Sequence, residues 1–168
     1  MMFARTYPMT HLRKGEPTHF VEKIWAGLAD KGQIDLGIKE LDILKLQGHP
    51  IDFVIYYNSK PKWHTIRKGK RWKVGDTFSP RIWAAKPYRS PQIEIAPPFT
   101  VAKTWDFAII NRSICLERAP IDTFLVEKIA VNDGLTFGDF LTWFMPVTKN
   151  PQADFEGQII CWNPNLEY

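Results

Sequence analysis

The stretch that decides the fold is "KWHTIRKGKRWKVGDTF", from Lys62 to Phe78. Thr65, Ile66 and Arg67 are typical of the start of a strand. Because successive side chains of a strand point to opposite faces, Thr65 and Arg67 should share one face and Ile66 should point to the core. The pattern predicts a second core strand, with its turn, over Trp72 to Asp76.

Short runs rich in Val, Ile, Phe and Trp continue downstream, separated by Gly, Pro, Asn or Ser, and they predict further strands. The runs cover residues 73–78, 80–85, 90–98, 99–110, 113–119 and 157–164. Strands this short and this close together indicate a small barrel or a curved mixed sheet.

Helical periodicity flanks this β region. It predicts helices over residues 18–32, 38–48, 120–134 and 136–146. Thr18 and Thr136 are suitable N-caps, and Gly134 is a suitable stop. The run "IDFVIYY" at 51–57 is ambiguous, and its β-branched and aromatic residues favour a strand. The whole pattern predicts one α+β domain over residues 1–168, with helices flanking a β core.

The charge of the chain is unevenly distributed. Residues 60–89 hold ten basic residues and one acid, whereas the rest of the chain holds twelve basic and seventeen acidic residues. A basic segment in an otherwise acidic chain favours a polyanionic partner, although a solvated surface loop would have the same composition. The sequence contains no apolar run long enough for a membrane span and no signal-peptide pattern, so we expect a cytoplasmic protein.

The segment Lys62–Arg67 could carry chemistry. Lys62 lies three residues before Thr65, so its amine could approach the Thr65 hydroxyl across a turn and take its proton. The neighbouring cations Arg67, Lys68 and Arg71, together with partial burial, would lower the pKa of Lys62. On residue types alone, however, an ordinary strand threonine and a solvated lysine are favoured, because the motif is short. The four histidines and two cysteines show no metal-ligand spacing, and no cofactor motif is present.

Three segments together resemble the ASCH domain, a family of the PUA-like superfamily. They are "KWHTIRKGKRWKVGDTF…QIEI", "EKIAVNDGLTFGDFLTWF" and "THFVEKIWAGL". The resemblance leaves residues of about 32–59 as a probable insertion. It implies a PUA-like small β-barrel (mixed sheet) flanked by helices, with a cleft along one side.

The resemblance also implies a site. Family members have been proposed to bind RNA, and one bacterial branch hydrolyses the amide of cytidine acylated on its exocyclic amine with a Lys, a Thr and a Glu. By motif position these catalytic residues are Lys62, Thr65 and Asp133. Two residues depart from that branch, because Asp133 is shorter than Glu by one methylene and His64 replaces an apolar residue. Locally, Asp133 is equally suited to be a turn or capping residue.

Aromatic and basic residues around this motif predict a surface for RNA or a modified nucleoside. Trp63 and Tyr88 are the rings expected to be exposed, whereas Trp72 and Trp83 are expected in the core. The candidate nucleic-acid or nucleoside contacts are Trp63, His64, Arg67, Lys68, Arg71 and Tyr88. Two hypotheses follow, binding in a basic cleft and amide hydrolysis in the same cleft. A third is an interaction module formed by the leucine-bearing segment 32–59.

Overall fold

Helices and strands alternate in blocks along the computed structural model, which describes residues 1–30, 51–145 and 154–168. The helices are α1 (Phe20–Asp30), α2 (Phe53–Asn58), α3 (Thr123–Asn132) and α4 (Phe137–Phe144). The strands are β1 (His64–Lys68), β2 (Thr77–Phe78), β3 (Arg81–Trp83), β4 (Gln92–Glu94), β5 (Phe99–Thr100), β6 (Lys103–Ile110), β7 (Ser113–Leu116), β8 (Ala119–Pro120) and β9 (Phe155–Cys161).

The strands form one large sheet and two small ones. The large sheet has five strands in the order β1-β9-β6-β7-β8, and β2-β5 and β3-β4 are two-stranded. Every pairing between these named strands is antiparallel. The predicted α+β class is therefore confirmed, but within the described ranges the strands do not close into a barrel and the sheets are not mixed.

Strand β1 is placed by its partner β9. The register pairs His64 with Cys161 and Arg67 with Gln158. Gly157 is required at the end of this ladder, because a Cβ there would collide with the backbone carbonyl of Arg67. Ile66 is buried, as the strand pattern predicted. The contact joins a strand near the middle of the chain to one near its end, so β1 forms only when the two meet.

Helix α4 packs against the large sheet through aromatic rings. The rings of Phe107 on β6 and Phe140 on α4 lie edge to face, with centroids 6.1 Å apart. Phe144 and Phe155 extend this ring cluster. None of the helices within the described residues is long and apolar enough to cross a membrane.

Two local predictions were wrong. The run at 51–57 contains helix α2 instead of a strand, because the Asp52 side chain caps it by accepting a hydrogen bond from the Ile55 N–H at 3.1 Å. The segment from Trp72 to Asp76 is a turn, in which the Lys73 N–H donates to the Asp76 carboxylate at 2.8 Å. In both places a short acidic side chain satisfies backbone donors that a strand would pair elsewhere. The predicted helix at 38–48 lies outside the described residues, as does most of the probable insertion.

Candidate functional site

Lys62 is held between two helices immediately before β1. Its backbone N–H donates to the carbonyl of Lys23 at the first turn of α1, at 3.0 Å. The next N–H, of Trp63, donates to the carbonyl of Asn132 at the end of α3, at 2.8 Å. These bonds turn the Lys62 side chain into the interior, where it is 1% exposed.

The ammonium of Lys62 forms an ion pair with Asp133. Nζ lies 2.5 Å from Oδ1 of Asp133 and also donates to the backbone carbonyl of that residue. On another side, Nζ lies 4.3 Å from the ring centroid of Phe20. A buried cation needs such partners, because burial without them would cost several kcal/mol.

Asp133 owes its position to the sharp end of α3. It is the C-cap, and Gly134 follows in the left-handed conformation with φ of 78°. A Cβ at Gly134 would lie 3.3 Å from side-chain carbons of both Lys62 and Lys23. Glycine therefore permits both the turn and the close approach of the two lysines.

Burial shifts the pKa values of both members of this ion pair. It lowers the pKa of Lys62 to about 8, against the opposing effect of Asp133, and Arg67 and Lys23 lower it further. Burial also raises the pKa of Asp133, against the effect of Lys62. The pKa of Lys62 therefore falls as predicted, but burial is a larger cause than the neighbouring cations.

His64 is not a surface contact, contrary to prediction. The side chain is fully buried, with Nδ1 3.8 Å from Oδ1 of Asp133 and the ring 5.6 Å from that of Tyr168. Burial lowers the pKa of His64 well below its usual value, Lys62 adds to this, and a backbone group of Ile129 opposes it. The His64 ring is therefore a neutral, buried neighbour of the Asp133 carboxylate.

Thr65 is the one proposed catalytic residue that the ion pair does not include. It is 5% exposed and lies on the face of β1 opposite to His64, with Arg67. Among the hydrogen bonds of the described residues, none joins its hydroxyl to Lys62 or Asp133. The fold thus brings two of the three predicted groups into contact.

Trp63 was predicted to be exposed, and this is wrong. Its side chain is 9% exposed. A Cβ at Gly27 of α1 would lie 2.8 Å from the Trp63 ring, so the ring fills the notch that this glycine leaves. No base could stack there without opening the interface between α1 and β1.

The predicted basic contacts divide into two groups. The guanidinium of Arg67 is partly buried, donates to the Met2 carbonyl at 2.5 Å and lies 5.6 Å from the Phe3 ring centroid. By contrast, Lys68, the last residue of β1, and Arg71, just after the strand, are exposed. Only the second group presents its charge to solvent.

Tyr88 is exposed, as predicted. Its side chain is 89% accessible, and its ring centroid lies 5.3 Å from that of Trp83. Trp72 is partly buried against the core. Trp83, also predicted in the core, is partly buried and contacts the exposed Tyr88 ring.

Two cavities border the residues around the ion pair. One of about 330 Å³ is lined by residues that include Lys23, Gly134 and Thr136. The other, of about 520 Å³, is lined by residues that include Phe3 and Trp83. Each has the volume of a small-molecule site.

Sequence reasoning missed Lys23. Its ammonium donates to the carbonyls of Gly134 at 2.7 Å and Thr18 at 3.1 Å, and burial lowers its pKa. A single lysine on an amphipathic helix gives no sequence signal for this role. No group of three metal-ligating side chains occurs within residues 1–30, 51–145 and 154–168.

The chain was compared with protein-family models, curated proteins and solved structures, and none of them matches it.

Proposed function

We propose that this chain is an ASCH-domain protein of the PUA-like superfamily that hydrolyses the acyl amide on the exocyclic amine of an acylated cytidine. The observation that carries the proposal is the buried ion pair between Lys62 and Asp133, at the start of the strand that bears Thr65. A lysine with a pKa of about 8 can lose its proton near neutral pH and serve as a general base.

The chemistry takes two steps. The neutral amine of Lys62 removes the proton of the Thr65 hydroxyl, whose oxygen attacks the acyl carbonyl carbon. The bond from this carbon to the exocyclic nitrogen then breaks, and the Lys62 ammonium protonates the departing amine of cytidine. Lys62 then removes a proton from water, whose oxygen attacks the carbonyl carbon of the Thr65 ester. The bond from this carbon to the Thr65 oxygen breaks, Lys62 returns the proton to that oxygen, and the carboxylic acid leaves.

Asp133 acts on Lys62 in this scheme. The carboxylate and the backbone carbonyl of Asp133 orient the Lys62 amine. The negative charge of Asp133 stabilises the ammonium that forms when Lys62 accepts a proton. The step requires the Thr65 hydroxyl to come within hydrogen-bond reach of Lys62 when substrate binds. Catalytic hydrogen bonds of ligand-free enzymes are commonly long and shorten in the complex.

The 330 Å³ cavity beside Gly134 is the proposed place for the nucleoside. Gly134 lines this cavity, and a Cβ at Gly134 would lie 3.3 Å from a side-chain carbon of Lys62. The neighbouring Lys60 is exposed and Thr136 caps α4, so polar groups are available for a ribose or a base.

Release of free cytidine from an acylated cytidine tests the proposal. Chromatography should show turnover by the wild-type chain and a loss of about 100-fold or more in Lys62→Met and Thr65→Ala, as expected for a base and a nucleophile. Lys14→Met, at an exposed lysine that does not line this cavity, tests whether any loss of basic charge has this effect. Turnover unchanged in both site variants would remove these residues from the mechanism.

Binding of RNA without chemistry is a second candidate. The exposed cations Lys68 and Arg71 favour it, because they have no ion-pair partner among the described residues. Filter binding should show affinity for RNA at low salt that falls as salt rises. A lack of RNA retention at low salt would refute this candidate without bearing on the hydrolysis.

A further inference from the structure

The most exposed aromatic side chain lies on the turn between β3 and β4. Tyr88 is 89% exposed, in the segment "AAKPYRS" at 84–90. Leaving so large a ring in water forgoes the free energy of burying it, so an exposed ring on an ordered turn suggests a ligand.

The turn is held in place by its own hydrogen bonds. The Ser90 hydroxyl donates to the Lys86 carbonyl at 2.9 Å and accepts from the Ala85 N–H at 3.0 Å. The Arg89 N–H donates to the same carbonyl at 3.1 Å. Tyr88 itself is in the left-handed region, with φ of 61°, which is unfavourable for a residue with a Cβ. The surrounding bonds therefore fix an unfavourable conformation that projects the ring outward.

Positive charge flanks this ring. Lys86 and Arg89 are exposed, and neither makes an ion pair in the described part of the chain. The nearest acidic residue in sequence on the β4 side, Glu94, is already paired with Arg81. The charges on this turn thus complement a polyanion.

A cavity of about 520 Å³ lies beside this turn. It is lined by Trp83 and Pro87 and, among its other residues, by Phe3. The Phe3 ring centroid lies 5.9 Å from the Lys62 Nζ. The Phe3 ring therefore lies next to both this cavity and the Lys62 ammonium.

We propose that Tyr88, tilted against the Trp83 ring and flanked by Lys86 and Arg89, is a platform for a base of single-stranded RNA. The acylated cytidine would then be presented within a strand, with a flanking nucleotide held on the platform. The chemistry at Lys62 rests on the proposed function, but the platform can be tested without it. A ring that accepts the face of any base, beside cations that accept phosphates, is the usual arrangement for single strands.

Fluorescence anisotropy with a labelled oligocytidine of eight nucleotides tests the platform. Tyr88→Ala should weaken binding about 5- to 150-fold, the range that corresponds to the loss of one stacked base. Tyr88→Phe should bind like the wild type, because the ring is kept. Phe124→Ala removes a ring that is 78% exposed on α3 and should also leave binding unchanged.

The charges are tested by the dependence of affinity on salt. For single strands each lost phosphate contact reduces the slope of log affinity against log salt by about 0.7. The double variant Lys86→Ala, Arg89→Ala should therefore have a slope smaller by about 1.4.

Three results would overturn the inference: no oligonucleotide binding by the wild type at low salt, equal binding by Tyr88→Ala, or an unchanged slope in the double variant. Equal binding by Tyr88→Ala would assign the exposed ring to a protein partner or to no ligand. Failure of the proposed function is seen separately, as the absence of hydrolysis of free acylated cytidine by the wild-type chain.

Discussion

The buried ammonium of Lys62 should make the stability of the fold rise with pH above neutrality. Its pKa is about 8 in the folded chain, against an ordinary value of 10.5. Between these values the folded state has lost the proton and the unfolded state retains it. The free energy of unfolding therefore increases with pH across this window and is constant below it as far as Lys62 is concerned.

The magnitude follows from the same two values. A pKa difference of one corresponds to about 1.4 kcal/mol. Across the whole pH window the free energy of unfolding therefore increases by about 3 kcal/mol, a large share of the stability of an ordinary domain. The carboxyl of Asp133, whose pKa burial raises, acts in the opposite direction.

Urea unfolding from about pH 7 to pH 10 measures this effect. Other lysines and the tyrosines also titrate in that range, so the useful quantity is the difference between the wild type and Lys62→Met. Methionine has a similar shape and no charge. The difference should grow in favour of the wild type by about 2 to 3 kcal/mol over the range.

Lys60→Met is the matched control, since Lys60 is exposed. Its difference from the wild type should stay within about 0.5 kcal/mol at every pH, as for surface substitutions generally. If the difference between the wild type and Lys62→Met is equally flat, the ammonium is not buried as the structure shows, and the basis for a reactive lysine is lost.

Three other substitutions test the surroundings of the pair. Asp133→Asn should lower the free energy of unfolding by about 3 to 5 kcal/mol near pH 7, because the Lys62 ammonium stays buried and loses its counter-charge. Urea titrations measure this, and a change below about 1 kcal/mol would contradict it. Gly134→Ala should cost at least about 1 kcal/mol by thermal unfolding, since φ is 78° and a Cβ would be crowded; an unchanged melting temperature would refute the packing. For Asp139, burial raises the pKa but hydrogen bonds, including that from Arg13, lower it more. Its carboxylate therefore stabilises the fold above about pH 4 and less as pH falls, so the deficit of Asp139→Asn should be present near pH 7 and shrink in acid; a deficit independent of pH would contradict it.

The elements with local signals were predictable from sequence. The Thr136 hydroxyl accepts from the Asp139 N–H at 3.1 Å, as the capping pattern indicates, and Gly134 ends the preceding helix region. Strand β1 likewise follows from the alternation around Ile66. For the cap and the helix end the deciding interactions lie within a few residues of one another, whereas β1 has a local pattern but forms only with β9.

The features that were missed depend on distant contacts. Trp63 is buried because Gly27, on a helix far away in sequence, leaves a notch for its ring. Lys62 and Asp133 are 71 residues apart, and only the resemblance suggested that they meet. Lys23 gave no signal, because its role depends on the carbonyl of Gly134.

The pH dependence of cytidine release from an acylated cytidine tests the central claim most directly. For the wild type, kcat/KM should rise with pH through an apparent pKa near 8, as Lys62 becomes a neutral base, and then level off. In Lys62→Met the rate should fall by about 100-fold or more and lose this inflection. No cytidine release by the wild type at any pH, or the same profile in Lys62→Met, would contradict the account.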